Sequence, residues 1–390
     1  MFPAFLTSSP CTSLYVHIPF CRKICPFCSF VVRRDRAGAH MEYLEALLDE
    51  LEFSLGDSTH GRSSLDSVYF GGGTPSRLTV EELKLLLKGI HKRWPFDPEV
   101  EITMECNPED VNQESIKGWL HSGINRFSLG GQSFQDLLLK KLGRVHNAEQ
   151  LRSAISCFQK EKLENWNLDL MFGIPGQTLS EFNLDLDEAL NSDPNHLSLY
   201  GLEVHPGTPY FHDSEVRKWK ERASELEQQF YLKAVECTAS KGLQQYEISN
   251  FARTGFQSRS NLRVWDGSPY LGLGCGAHSF DGVQRWGNLK SMRRYLEKIR
   301  QKEVPRDFTE RPNLRQRAGE TLMLALRRPE GLDFQAWQNR FGLTCNSVKK
   351  FQLETLAEKK LISWEPPNLR LTSKGMLLAD AITSELMPEP

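Results

Sequence analysis

The stretch HIPFCRKICPFCSF, residues 17–30, decides how this chain is read. Its three cysteines, Cys21, Cys25 and Cys28, follow the spacing C-x3-C-x2-C and offer three thiolates from one short loop. That set suits a [4Fe–4S] cube in which three irons are anchored and the fourth is open to a small molecule. Zinc competes for the same thiols. A structural zinc site takes four protein ligands, and only His17 is near enough in sequence to complete the set. A disulfide pair is the weaker alternative. The nine cysteines are odd in number and scattered outside this loop, which is not a disulfide framework. The cluster is the expectation.

A chain of 390 residues can hold one large domain and a smaller one. Its 48 Lys and Arg against 50 Asp and Glu leave a net charge of −2, so bulk charge points to neither nucleic acid nor an anionic membrane. Mean hydropathy is −0.46, and no apolar run approaches the roughly 18 residues of a membrane span. The opening MFPAFLTSSP has neither the basic start of a secretory signal nor the arginines of a transit peptide. A reducing cytoplasm is therefore expected, and it would keep an iron–sulfur loop intact.

Working outward, the first two hundred residues alternate short β-type runs with amphipathic helical stretches. Strands are expected at 13–18, 66–71, 100–106, 126–130, 167–173 and 196–202, and helices at 40–54, 79–92, 113–122, 148–160 and 178–191. Six β/α units in series imply a parallel sheet closed fully or partly into a barrel. The unusual residues fall at the ends of these strands. The cysteines follow the first, Gly71-Gly72-Gly73-Thr74-Pro75 ends the second, and Glu105 and Asn107 end the third. Gly130, Gly131 and Gln132 end the fourth, and Asp169 lies in the fifth. Parallel barrels build active sites on that rim. A charged helix is expected over 214–241 and a strand over 244–251, and Gly272, Gly274 and Gly276 suggest a close backbone approach.

From residue 306 the texture changes, giving two expected domains, 1–305 and 306–390. Helices at 313–328, 333–341 and 346–360, a two-stranded wing around Pro366-Pro367-Asn368 and a helix at 374–387 make a winged-helix-like α+β pattern. Its 13 Lys and Arg against 11 Asp and Glu are a poor footing for phosphate neutralisation, so no nucleic-acid partner is expected.

Several residues on the rim need a partner or a ligand. Tyr15 ends a strand aimed at the cysteines, although ordinary strand packing would also explain it. Gly72 and Gly73 would bring bare backbone beside a ligand. Glu105 closes an apolar strand where a carboxylate is costly without donors, and Asp169 needs a ligand or a buried ion pair. Arg144 could grip a carboxylate in a bidentate fork. His146, His196 and His205 read equally well as loop or core histidines.

The cysteine spacing resembles the radical S-adenosylmethionine (SAM) superfamily. LYVHIPFCRKICPFC, VYFGGGTPS, ECNPED, INRFSLGGQSF, LGRVH, DLMFGIPGQT, YEISNFA and LTSKGMLLAD resemble its oxygen-independent coproporphyrinogen III oxidase-like branch, from about residue 13 to 385. The resemblance implies an incomplete six-stranded radical SAM barrel. SAM would bind the open iron by its amino and carboxylate groups, and reduction would cleave it to a 5′-deoxyadenosyl radical. Tyr15, Phe27, Gly72, Gly73, Thr74, Glu105, Gln132, Arg144 and Asp169 would surround SAM, with the GGGTP backbone on its amino group and Glu105 on its ribose.

Within the branch, the coproporphyrinogen dehydrogenases carry a further cysteine where this chain has Phe30, and a long segment before the first strand. The chain is closer to the haem chaperones of the HemW group. That implies haem binding, transfer to an acceptor protein, which could be a membrane protein, and an electron donor for the cluster, with no coproporphyrinogen dehydrogenase activity. A porphyrinogen-directed radical enzyme is the alternative. One departure stands out. The group's His-Asn-x-x-Tyr-Trp, proposed for haem, reads Ser260-Asn261-Leu262-Arg263-Val264-Trp265 here. Serine is a poor ligand for haem iron, so His278 or Cys275 would have to serve instead.

Overall fold

The computed structural model describes residues 10–36, 38–56, 63–343 and 350–387. Six strands run in chain order and pair in parallel: β1 (Ser13–Ile18), β2 (Leu65–Gly72), β3 (Phe96–Cys106), β4 (Arg126–Gln132), β5 (Trp166–Phe172) and β6 (His196–Gly201). Helices α1 (Ala39–Gly56), α2 (Val80–Arg93), α3 (Gln113–Ser122), α4 (Asp136–Lys141), α5 (Ala148–Lys160) and α6 (Leu179–Asn191) fill the crossovers. Four of them begin with reciprocal capping boxes, Thr79 with Glu82, Asn112 with Ser115, Asn147 with Gln150 and Thr178 with Glu181. Each box satisfies backbone N–H groups that would otherwise be orphaned, and so fixes where the helix starts after its loop. Residues of β4 and β5 are buried on both faces, as a helix-covered parallel sheet requires.

Among the described residues this sheet has nine strands, three more than the sequence suggested. The run 244–251 is not one strand but two, β7 (Gln244–Glu247) and β8 (Asn250–Ala252), folded back antiparallel with β8 against β6. Buried Asn250 drives the reversal: its side chain accepts from Ser198 Oγ at 2.7 Å and donates to Glu247 Oε1 at 2.5 Å. At the other edge β9 (Leu271–Leu273) runs parallel to β1. Its glycines do permit close approach. A Cβ on Gly272 would lie 2.1 Å from the His278 carbonyl oxygen, and one on Gly274, at φ +102°, 2.3 Å from Tyr43 Oη. The charged helix expected over 214–241 breaks at Ala223 into Ser214–Arg222 and Ser224–Ser240.

A smaller sheet follows, of β10 (His278–Phe280), β11 (Arg285–Asn288) and β12 (Arg306–Glu310). β12 pairs with β11, so by pairing it belongs to the unit before it, although it lies past the expected boundary at 306. Buried Glu50 on α1 ties this region to the barrel. It accepts from Gly274 N at 2.8 Å, Tyr295 Oη at 2.6 Å and Asn288 Nδ2 at 2.5 Å. Burial nevertheless pushes its carboxyl from 4.5 up to about 7 against those donors. A raised carboxyl makes the folded state hold its proton, so this group's contribution is full below pH 4.5 and is lost as pH rises to about 7. The loss is roughly 3 kcal/mol. Glu50→Ala should flatten that slope in denaturant titrations. It should also cost about 3 kcal/mol at low pH, because three buried donors lose their acceptor. An unchanged slope would refute this.

The C-terminal unit has helices Leu314–Leu326, Phe334–Phe341 and Lys350–Glu358, with residues 346–349 of the expected third helix outside the described residues. The expected two-stranded wing, β14 (Ile362–Glu365) with β15 (Asn368–Leu371), gains a third, short strand, β13 (Leu332–Asp333). The closing helix comes in two pieces, Ser373–Met376 and Ala379–Leu386. Trp337 Nε1 donates to Ala318 O at 3.0 Å inside the unit, and Arg327 lies 5.1 Å over the Trp265 ring to hold the unit on the barrel.

Candidate cluster and cofactor site

The cysteine loop leaves β1 and is closed at its base by a two-residue parallel ribbon, Phe20–Cys21 with Arg33–Arg34. Asp35 N donates to Cys21 O at 2.9 Å, and Asp35 is itself held by Arg77 and His40 at 3.0 and 2.9 Å. Arg77 and Arg22 converge on Asp110 at 3.1 and 2.8 Å, which pins the loop to the ends of β2 and β3. Gly143 completes the fit: a Cβ there would sit 2.7 Å from Pro26 Cδ.

Burial pushes the Cys21 thiol up to about 11, with Thr74 Oγ1 at 3.6 Å opposing and the other two cysteines adding to the rise. Cys28 is likewise raised by burial. Such thiols ionise readily only beside a cation, which a bound iron would supply. The zinc reading loses its fourth ligand. His17 Nδ1 faces Tyr15 Oη at 3.1 Å and Nε2 faces Val31 O at 2.7 Å, so both ring nitrogens are engaged. Among the described residues no three His, Cys, Asp or Glu side chains are disposed to hold a single metal ion.

The cavity beside the cysteines is about 370 Å³. It brings together Cys21, Cys25 and Cys28 with Phe27, Gly72, Gly73, Thr74, Glu105, Gln132, Arg144 and Asp169. Of the expected residues only Tyr15 lies elsewhere, in the neighbouring cavity, because its ring stacks on Tyr69 and its hydroxyl meets His17. Gly72, at φ +107°, could not carry a side chain: a Cβ would lie 2.3 Å from the His17 ring. Gln132 adopts φ +67°, an αL conformation uncommon for a non-glycine residue, which holds its side chain at the cavity rim.

The charges are arranged around Arg144. Its Nη2 donates to Asn107 Oδ1 at 2.6 Å and Gly130 O at 2.9 Å, and Nη1 lies 3.9 Å from Cys25 Sγ. Among the described residues its buried Nε has no hydrogen-bond partner. An orphaned guanidinium N–H beside a cavity is a fitted place for a ligand carboxylate. Asp169 is not half of an ion pair among the described residues. It accepts from Asn167 Nδ2 at 2.7 Å and Ser128 Oγ at 3.1 Å, and burial still raises its carboxyl. Glu105 accepts from Tyr69 Oη at 2.9 Å and Gly72 N at 3.0 Å, and burial pushes it up to about 7. Buried carboxyls whose ionisation is pushed up by desolvation are suited to the hydroxyl groups of a ligand.

Tyr69, Ser128 and Asn167 were not singled out from sequence, yet they orient both carboxylates; as ordinary polar residues inside strands they carry no sequence signal. The histidines resolve as structural. His146 meets Gly131 O at 3.0 Å, His196 sits between Asn167 and Tyr246, and His205 pairs with Glu203 at the surface.

A second cavity, about 560 Å³, abuts the first, and Phe30, Tyr69, Gly72 and Glu105 line both. Ser260, Asn261, Val264, Tyr270, His278 and Lys290 line its far side. Cys275 is not there: it is fully buried, with Tyr43 Oη 3.8 Å from its sulfur, which removes it as a haem ligand.

Comparison with known proteins agrees with this geometry. The radical SAM superfamily model matches residues 15–189 and the HemN C-terminal domain model residues 313–378. The haem chaperone HemW of Bacillus subtilis is 33% identical over 97% of this chain and 99% of its own length. The mitochondrial radical S-adenosyl methionine domain-containing protein 1 of Danio rerio is 31% identical over 97% of this chain and 87% of its own. The structure of Escherichia coli coproporphyrinogen III oxidase (HemN) superposes with a TM-score of 0.83 at 21% identity, over 98% of this chain and 91% of that one, which shows a shared fold. Three loop cysteines beside a mainly parallel sheet and near-complete alignment with HemW place the chain in the HemW family of the radical SAM superfamily.

Proposed function

We propose that this protein is a haem chaperone, binding haem and passing it to an acceptor protein, with a [4Fe–4S] cluster and SAM in the cysteine-lined cavity. The observation that carries the reading is its end-to-end similarity to HemW chaperones. The second cavity beside the cysteines supports it, being roomy enough for a ligand well beyond SAM.

Cys21, Cys25 and Cys28 would hold the cluster. Arg144 would take SAM's carboxylate, the Gly72–Gly73 backbone its amino group and Glu105 its ribose, with Phe27, Thr74, Gln132 and Asp169 closing the walls. Tyr15 would act on the cluster site only through His17 and Tyr69. A reduced cluster of this type supplies single-electron chemistry at SAM, which calls for an electron donor.

Reconstituted under anaerobic conditions, the protein should bind haem saturably, and SAM should perturb the reduced cluster's EPR spectrum. Phe30 stands where the dehydrogenases carry cysteine, so coproporphyrinogen III should not be decarboxylated. Turnover at about 1 per second or faster would overturn the chaperone reading in favour of a porphyrinogen-directed enzyme. No helix among the described residues is long and apolar enough to cross a membrane. A reducing compartment suits three free thiols, and we place the protein in the cytoplasm. Localisation of a tagged chain to mitochondria, as the name of the zebrafish relative has it, would refute that placement.

A further inference from the structure

We propose that His278 is the iron ligand for haem in the second cavity and that Lys290 pairs there with one of the haem's carboxylates. This rests on the haem-binding reading above and goes beyond it, since the family's histidine is Ser260 in this chain.

The candidate donors lining that cavity differ in chemistry. His17 has both nitrogens engaged, by Tyr15 and by the Val31 carbonyl. Tyr69 donates to Glu105, and Glu105 already accepts from two donors. Tyr15, Tyr69 and Tyr270 are all driven away from the phenolate form by burial. Serine is a weak donor to haem iron, and a lysine must first lose its proton. His278 remains. Among the described residues neither of its ring nitrogens has a hydrogen-bond partner, and imidazole is the commonest protein ligand to metals.

Its placement is rigid. On β10, Ser279 points into the core, fully buried, with its hydroxyl accepting from Gly272 N at 2.9 Å. Alternation along the strand therefore turns His278 to the opposite, cavity-lining face. Across the ladder it pairs with Gly287, and the Phe308 ring stands edge-on at 5.4 Å to fix the imidazole plane. Gly287 makes this possible, because a Cβ there would lie 2.4 Å from the Phe308 ring. Burial and the charges of Lys290 and Arg285 favour the neutral, ligating imidazole.

The walls suit a planar dicarboxylate. Tyr15, Tyr69, Tyr270 and Phe30 offer aromatic faces, and among the described residues Lys290 is the one lysine lining the cavity. Ser260 Oγ is buried and unpartnered in the same cavity, a polar atom left waiting for a ligand or water.

The test uses cluster-reconstituted full-length protein titrated anaerobically with ferric haem b, followed by visible and EPR spectra. His278→Ala should weaken binding at least about tenfold and remove the imidazole-ligated signature, and free imidazole should restore the signature. His278→Gln, which keeps the volume and polarity, should fail in the same way. Lys290→Ala should weaken binding about threefold to tenfold while leaving the iron spectrum unchanged. Iron content and unfolding midpoint serve as controls for folding. If wild type binds haem but both His278 variants keep its affinity and spectrum, this assignment is wrong and the chaperone reading survives. If wild type shows no saturable binding, both fall.

Discussion

Replacing any one of Cys21, Cys25 and Cys28 by alanine is expected to take anaerobically reconstituted protein from about four irons per chain to nearly none. The effect would be all-or-none because each thiolate would anchor one iron of the same body, and two anchors would leave a second iron without a protein ligand. The SAM-induced change in the EPR spectrum should vanish with it. Cys106 is the instructive control. It lines the same cavity, yet it is fully buried, its sulfur meets Ser128 O at 3.6 Å, and burial drives its thiol far up. Cys106→Ala should keep the iron. Loss of iron in that variant, full occupancy in any of the other three, or zinc in place of iron would each break the assignment.

The sequence exposed the rim of this site because rim residues violate local expectation. Three cysteines in eight residues, three successive glycines and a carboxylate ending an apolar strand each lack a structural excuse, and the cysteines, Gly72, Gly73 and Glu105 line one cavity. Residues that obey local rules were invisible. Tyr69, Ser128 and Asn167 alternate along strands as ordinary polar or aromatic residues do, and only the assembled sheet sets them against Glu105 and Asp169. Tyr15 shows the converse case. Sequence proximity to the cysteines suggested one site, but its face of β1 opens on the neighbouring cavity. The added strands were hidden for a similar reason. β9 is a three-residue, glycine-rich run with no period to detect, and its pairing with β1 depends on Gly272 and Gly274 clearing backbone and Tyr43 contacts from distant segments. The antiparallel pair β7 and β8 read as one strand because the reversing turn at Ile248-Ser249 contains neither glycine nor proline. Buried Asn250 and Glu247 impose it instead.

Arg144→Ala should lower SAM affinity by about 100-fold, a loss near 3 kcal/mol, while retaining most of the iron. The guanidinium is fixed by Asn107 and Gly130 at 2.6 and 2.9 Å, so its orientation is set before any ligand arrives. Its unpartnered Nε and its Nη1, 3.9 Å from Cys25 Sγ, leave it between the cysteine loop and the cavity. A carboxylate bound there would gain a charge-assisted bond to a guanidinium already held in place, at little cost in side-chain ordering. The same charge lowers Asp169 and Cys21 against the upward push of burial, so its removal should also raise both groups. Arg144→Lys should recover only part of the affinity, because an ammonium keeps the charge but not the planar fork. Haem binding in the second cavity should be unaffected, since Arg144 does not line it. Isothermal titration with SAM on protein of matched iron content would decide the matter. Unchanged affinity in Arg144→Ala would mean that SAM's carboxylate is held elsewhere, while parallel loss of SAM and haem would mean that the two cavities are not independent.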